Sequence, residues 1–145
     1  MLFGESVLCS GQSNMCFATN QMDGAADEIA LAGDAKYSSI RLVTVKPTNA
    51  KTPQADPTIL QNWSIANSDS VGGGPNATRK AFTYFSAVCW LQGRHLFDRL
   101  GGKTPVGLLT SAVGGTRVHC WSSKDALDKC PQYYPAGKNS SISNR

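Results

Sequence analysis

Ser13 stands in the run Gly11-Gln12-Ser13-Asn14-Met15, directly after the short apolar stretch Ser6-Val7-Leu8-Cys9. An apolar run closed by Ser10-Gly11 suits a buried strand of a parallel sheet, and the turn after it lies at the carboxyl edge, where open α/β sheets bind ligands. A serine hydroxyl there has the position of a nucleophile. Gly11 permits a sharp bend, and backbone N–H groups around Ser13 can face a developing oxyanion. The plainer alternative makes Ser10 or Ser13 a helix cap, which is the commoner use of serine at such a turn. Spacing alone leaves both readings open.

A second turn of the same kind follows Val106-Gly107-Leu108-Leu109-Thr110-Ser111-Ala112, where Gly114-Gly115-Thr116 again puts glycines after an apolar run. By itself this is a glycine turn. Two Gly/Ser turns at one sheet edge favour a site over a pair of plain turns. A serine needs a base, and the chain has two histidines, His95 and His119. His95 falls inside a predicted helix and reads as a partly exposed helix residue. His119 lies nearer the second turn and is a candidate substrate contact rather than a base. Gln92-Gly93-Arg94 also lies within that helix and is not read as a site motif.

The elements that must position these turns alternate. A helix is predicted from Asn20 or Asp23 to Leu31, and a strand over Ile40–Val45, where β-branched residues alternate up to Pro47. Residues Lys46–Arg79 hold Pro47, Pro53, Pro57, Pro75 and Gly72-Gly73-Gly74, an excursion in which Trp63 and Ile65 can form an edge strand. A long helix is predicted over Ala81–Leu100, with Phe82, Phe85, Cys89, Leu96 and Leu100 at helical spacing and Gly101-Gly102 as its stop. Gly93 shares that face and can let the helix lie close to a sheet. A third strand and a short helix from Ser122 or Ser123 follow. Strand and helix in alternation predict an α/β sandwich.

Composition narrows the function. The chain has 145 residues, 41% of them hydrophobic and 17% charged, as in a globular domain rather than a disordered one. Its net charge of +4 is not clustered, which argues against nucleic-acid binding. No stretch is long enough to cross a membrane, and no signal peptide is visible. Five cysteines, Cys9, Cys16, Cys89, Cys120 and Cys130, show no Cys-x-x-Cys or zinc-finger spacing, so neither a metal nor another cofactor is expected. Cys9 and Cys89 read as small buried hydrophobes, and Cys120 with Cys130 as possible disulfide partners. Sequons at Asn62, Asn76 and Asn139 would be glycosylated in a secreted chain. Both ends look cut, as in a piece of a longer protein.

Gly11–Met15 with its flank Val7–Ser10 resembles the nucleophile block of the sialate O-acetylesterase group of SGNH hydrolases. Phe85-Ser86-Ala87-Val88-Cys89-Trp90 with Gly93-Arg94 resembles that family's long helix. Pro105–Leu109, Gly114-Gly115-Thr116 and Trp121 resemble its next strand and second block. The resemblance runs in order over about Leu2 to Leu127. It implies the N-terminal part of a catalytic domain with a three-layer α/β/α sandwich on a mostly parallel sheet, here incomplete, that hydrolyses acetyl esters on sugars. Ser13 matches the nucleophile, and its own N–H would serve the oxyanion hole with Gly115, preferred over Gly114. Gln12 and Asn14 would hold the turn, and Thr116, His119 and Trp121 would touch substrate. His119 departs from the family, which has Glu there. The family's Asp-x-x-His and Gln-Gly-Glu blocks are absent from this chain, so the base is expected downstream. The implied substrate is an O-acetylated sialic acid or, as an alternative, acetylated xylan or another polysaccharide; the implied location is secreted or lysosomal. A non-catalytic fragment or sugar-binding remnant is the rival reading from another class.

Overall fold

The computed structural model describes residues 3–48, 55–74 and 84–130. They divide into two units, one ending at Gly114 and one beginning at Gly115, each described by itself.

The first unit is built on a four-stranded sheet of β1 (Glu5–Gly11), β2 (Ile40–Val45), β3 (Ile59–Ile65) and β4 (Val106–Ala112), in the order β1-β4-β2-β3. β1 and β2 both pair parallel to β4, and β3 is antiparallel to β2. The register sets Gly11 opposite Ala112 and Val45 opposite Ile59, so the ends of the parallel strands and the start of β3 share one edge. The three predicted strands form where apolar runs demanded them. Trp63 and Ile65 lie on an edge strand, as expected, although that strand reaches back to Ile59.

Five helices are described: α1 (Ser13–Cys16), α2 (Ala25–Ala32), α3 (Ser68–Gly72), α4 (Ala87–Arg99) and, in the second unit, α5 (Lys124–Asp128). The predicted first helix starts later than expected because residues 19–21 form a separate 3₁₀ turn and Gly24, at φ 73°, precedes α2. α4 also starts later. Phe85 and Ser86 are extended instead: Thr19 N–H donates to Phe85 O and Ala87 N–H to Phe17 O, each within 2.9 Å. Ser86 then caps the helix, its Oγ accepting from Cys89 N–H at 3.2 Å. Phe82 lies outside the described residues.

The buried face of α4 is Cys89, Trp90, Gly93 and Phe97; Leu96 is half-buried and Leu100 exposed. Gly93 does what its position implied. A β-carbon there would stand 2.3 Å from Leu108 Cδ2, and Leu108 is wholly buried, so only glycine lets α4 lie this close to β4. Around that contact gather Cys9, Ile40, Leu42, Phe85, Trp90 and Phe97.

The cysteines correct the sequence reading. Cys9 and Cys89 are buried, as expected, but they form a disulfide that joins β1 to α4. Cys120 and Cys130, the pair considered for a bridge, are both free thiols, as is Cys16. The reason is topological: α4 packs on β4, the sheet neighbour of β1, and 80 residues of sequence hide that proximity.

Among the described residues, no helix of the first unit packs a comparable core on the opposite sheet face. Leu8 is 66% exposed there. Trp63 crosses β2, its ring standing 3.5 Å from where a Gly107 β-carbon would be. The sheet and one helical layer of the expected sandwich are thus described, in keeping with an incomplete three-layer fold.

Candidate active site

The site grows out of the end of β1. Gly11 has φ 154°, a conformation that favours glycine, and its carbonyl accepts Val113 N–H at 3.0 Å. The turns after β1 and β4 are therefore tied together. Gln12 O accepts from Met15 N–H and Cys16 N–H, both at 2.9 Å, which closes the single turn of α1.

Ser13 is the first residue of that turn and is exposed. The cap position belongs to Gln12, and no side chain caps α1. Neither Ser10 nor Ser13 does the structural work that the plainer reading gave them. As the first helical residue, Ser13 has an N–H without an intrahelical acceptor. Gln12 holds the turn through its carbonyl, whereas the Asn14 side chain is exposed and makes no hydrogen bond among the described residues.

Gly114 lies against Ser13: a β-carbon on it would stand 3.6 Å from Ser13 Oγ. That is an ordinary van der Waals distance, so the two turns are in contact without strain. The backbone of Gly114 also lies near the Cys16 thiol, where it favours the thiolate. Gly115, the preferred oxyanion residue, opens the second unit with φ 75°.

Cys16 is the neighbour that sequence reasoning passed over. It follows Ser13 by three residues and so shares a face of the helical turn, which the spacing could have indicated. Burial pushes its thiol above the ordinary range, while the hydrogen bond from Gly114 opposes that shift. Cys16 is consequently an uncharged thiol at neutral pH, a poor nucleophile beside an exposed serine.

Behind α1 is a cavity of about 30 Å³, lined by residues that include Met15, Cys16, Leu60, Tyr84, Thr110 and Ala112. Thr110 Oγ1 is buried there without a hydrogen-bond partner among the described residues. Neither Thr110 nor the cavity was anticipated; alternation along β4 could have pointed Thr110 inward with Leu108.

The two histidines lie on other elements than these turns. His95 is exposed on α4, its Nε2 3.5 Å from an Arg94 guanidinium nitrogen. It follows Ala87 by eight residues, about 12 Å along the helix axis. His119 is in the second unit, in the 3₁₀ turn Val118–Trp121, where Trp121 Nε1 donates to Thr116 Oγ1 at 2.8 Å. The three expected substrate contacts are thus neighbours, with Thr116 and Trp121 directly bonded. Among the described residues no cluster of His, Cys, Asp or Glu could hold a metal, and no helix is long and apolar enough to cross a membrane.

No protein-family model matches the chain. Among curated proteins, the sialate O-acetylesterase of Pongo abelii is 42% identical over 131 residues, 90% of this chain and 23% of that protein. The Homo sapiens sialate O-acetylesterase is 41% identical over the same share of each chain. This chain is a relative of the sialate O-acetylesterases. It spans about a quarter of the length of the sialate O-acetylesterases it matches. The crystal structure of a carbohydrate acetylesterase from Xanthomonas citri superposes on 86% of this sialate O-acetylesterase relative, with TM-score 0.70 and 25% identity, and 25% of that chain is covered.

Proposed function

We propose that the chain carries the nucleophile of a serine esterase that removes O-acetyl groups from carbohydrates, with sialic acid as the sugar. The observation that carries this reading is an exposed Ser13, free of any capping duty, on a glycine turn at the carboxyl edge of a sheet whose relatives are sialate O-acetylesterases. Ser13 Oγ attacks the acetyl carbonyl while a base takes its proton, and the Ser13 N–H faces the oxyanion that forms. Collapse releases the sugar alcohol, which regains the proton, and leaves acetyl-Ser13. Water then releases acetate by the same route.

His95 and His119 do not supply the base on this reading. It comes from the part of such an esterase that these residues do not match. The buried Cys9–Cys89 disulfide supports a secreted or lysosomal location, because disulfides persist in oxidising compartments. Asn62, one of the three sequons, is exposed on β3 and accessible to glycosylation; Asn76 and Asn139 lie outside the described residues.

Acetate release from an O-acetylated sialic acid tests the proposal. It should be measured for this chain and for one extended to the length of its relatives, each beside its Ser13→Ala variant. Release by the extended chain that the variant abolishes is expected. Equal release by the two would sink the nucleophile assignment, and activity of the short chain would overturn the external base.

A further inference from the structure

We propose that the groove between β3 and α3 receives the uncharged, hydroxyl-bearing part of the sugar whose acetyl ester Ser13 attacks, with Tyr84 as its platform and Asp69 as its hydroxyl acceptor. The inference rests on the esterase reading for the identity of the sugar, but the groove is visible without it. It measures about 470 Å³ and is lined by residues that include Leu60, Asp69, Gly73, Gly74 and Tyr84. That volume is of the size small-molecule sites occupy.

Its place in the fold follows from the register. Thr44 lies opposite Gln61 and Val45 opposite Ile59, so the start of β3 stands at the edge where β1 and β4 end. Leu60 and Tyr84 line both this groove and the small cavity that reaches Met15 and Cys16 on the helical turn of Ser13. The groove therefore adjoins the cavity behind the helical turn that carries Ser13.

The walls are built for this. Gln61 Nε2 donates to Ser70 O at 2.8 Å, and Gln61 Oε1 accepts from Thr44 Oγ1 at 3.2 Å, which stitches α3 to the sheet. Gly73, at φ 88°, has no β-carbon to collide with the Tyr84 ring, which would lie 2.1 Å from one. The aromatic ring thus rests on bare backbone, and Tyr84 remains partly exposed. A half-exposed aromatic offers an apolar face to the C–H side of a sugar ring and a phenol to its hydroxyls.

Asp69 supplies the polar counterpart. Its Oδ1 stands 3.5 Å from the position of a Gly74 β-carbon, it is exposed, and it forms no ion pair among the described residues. An ionised carboxylate is an acceptor only, suited to sugar hydroxyls. Asp69 is the single charged residue among the described residues that line the groove. Its carboxylate repels that of a sialic acid, whose polyol portion is the part that enters.

The test is an NMR titration of the full chain with N-acetylneuraminic acid and, separately, its methyl ester. Both should shift the amides of Leu60, Asp69, Gly73 and Gly74, with dissociation constants within about twofold of each other. Tyr84→Ala and Asp69→Ala should each weaken binding by about tenfold, the cost of one good contact, and Tyr84→Phe by less. The exposed Asp69 variant keeps the test informative if Tyr84→Ala unfolds the chain. Absent or remote shifts, unchanged affinity in Asp69→Ala, or an acid bound tenfold more tightly than its ester would each overturn the inference. Ser13→Ala should bind like the wild type. Failure of acetate release would then count against the nucleophile alone, and failure of binding against the groove alone.

Discussion

The turn at Ser13 and the contact at Gly93 both depend on glycine, but for opposite ends. At Gly93 the missing side chain brings a helix onto a sheet, and every surrounding atom is packed. At Gly114 the missing side chain leaves room beside a hydroxyl, and the neighbours are an exposed serine and a half-buried thiol. The first region spends its geometry on stability, the second on access. A residue that matters in one should therefore leave the other nearly untouched.

The sharpest break is Ser13→Ala. On the proposed mechanism it should lower acetate release by at least about a thousandfold in the extended esterase. Because Ser13 is exposed and caps nothing, thermal unfolding of the variant should match the wild type within a degree or so. A large loss of stability would show that the turn is structural after all.

The core gives the reverse pattern. Loss of the Cys9–Cys89 bridge in Cys89→Ala should cost roughly 2–5 kcal/mol in denaturant unfolding, since the bridge closes a long loop and the cavity left by the sulfur adds to it. Gly93→Ala should cost less, about 1–3 kcal/mol for overpacking against Leu108, partly offset by the better helix propensity of alanine. A Gly93→Ala variant as stable as wild type would mean that α4 and β4 can move apart.

The smallest effect is electrostatic. Lys36 Nζ lies 2.6 Å from Asp98 Oδ1, and Tyr37 OH donates to Asp98 Oδ2 at 3.2 Å. The hydrogen bond from Lys36 holds the Asp98 carboxyl below its ordinary value. A depressed carboxyl stabilises the fold above its unfolded pKa, and that contribution is lost as pH falls through the lower folded value. Asp98→Asn should thus narrow the difference in stability between neutral and strongly acidic solution, read from melting temperatures below about pH 4. The pair is solvent-facing, so the change should be slight.

Much of this was legible in the sequence because it is local. The strands at Ile40 and Val106, the helix stop at Gly101-Gly102, the cap at Ser123 and the close approach at Gly93 each follow from a few neighbouring residues. What escaped is non-local. Cys9 and Cys89 show nothing of their bond until α4 lies on β4, the neighbour of β1. Phe85 fitted the helical spacing, yet its carbonyl pairs with Thr19 and holds it extended. The 3₁₀ turn at residues 19–21 is likewise tied to Phe85 through Thr19, whereas the helix α3 carries a local capping pair, Asn67 with Ser70. At the site, the turn that carries Ser13 was readable from motif and spacing, and Cys16 and Thr110 follow from local spacing, whereas the groove beside Tyr84 needed the register of β2 and β3.

The disulfide has one further consequence. Among the described strands β1 is the outermost, hydrogen-bonded to β4 alone, and it leads directly into the Ser13 turn. Its one covalent tether to the interior is Cys9. Once that bond is reduced, the amides of Glu5–Gly11 should exchange with solvent deuterium before those of β2, because an edge strand opens by local fraying at lower free energy than a strand flanked on both sides. The redox state of a bond four residues upstream would then set how long Ser13 stays in place between openings.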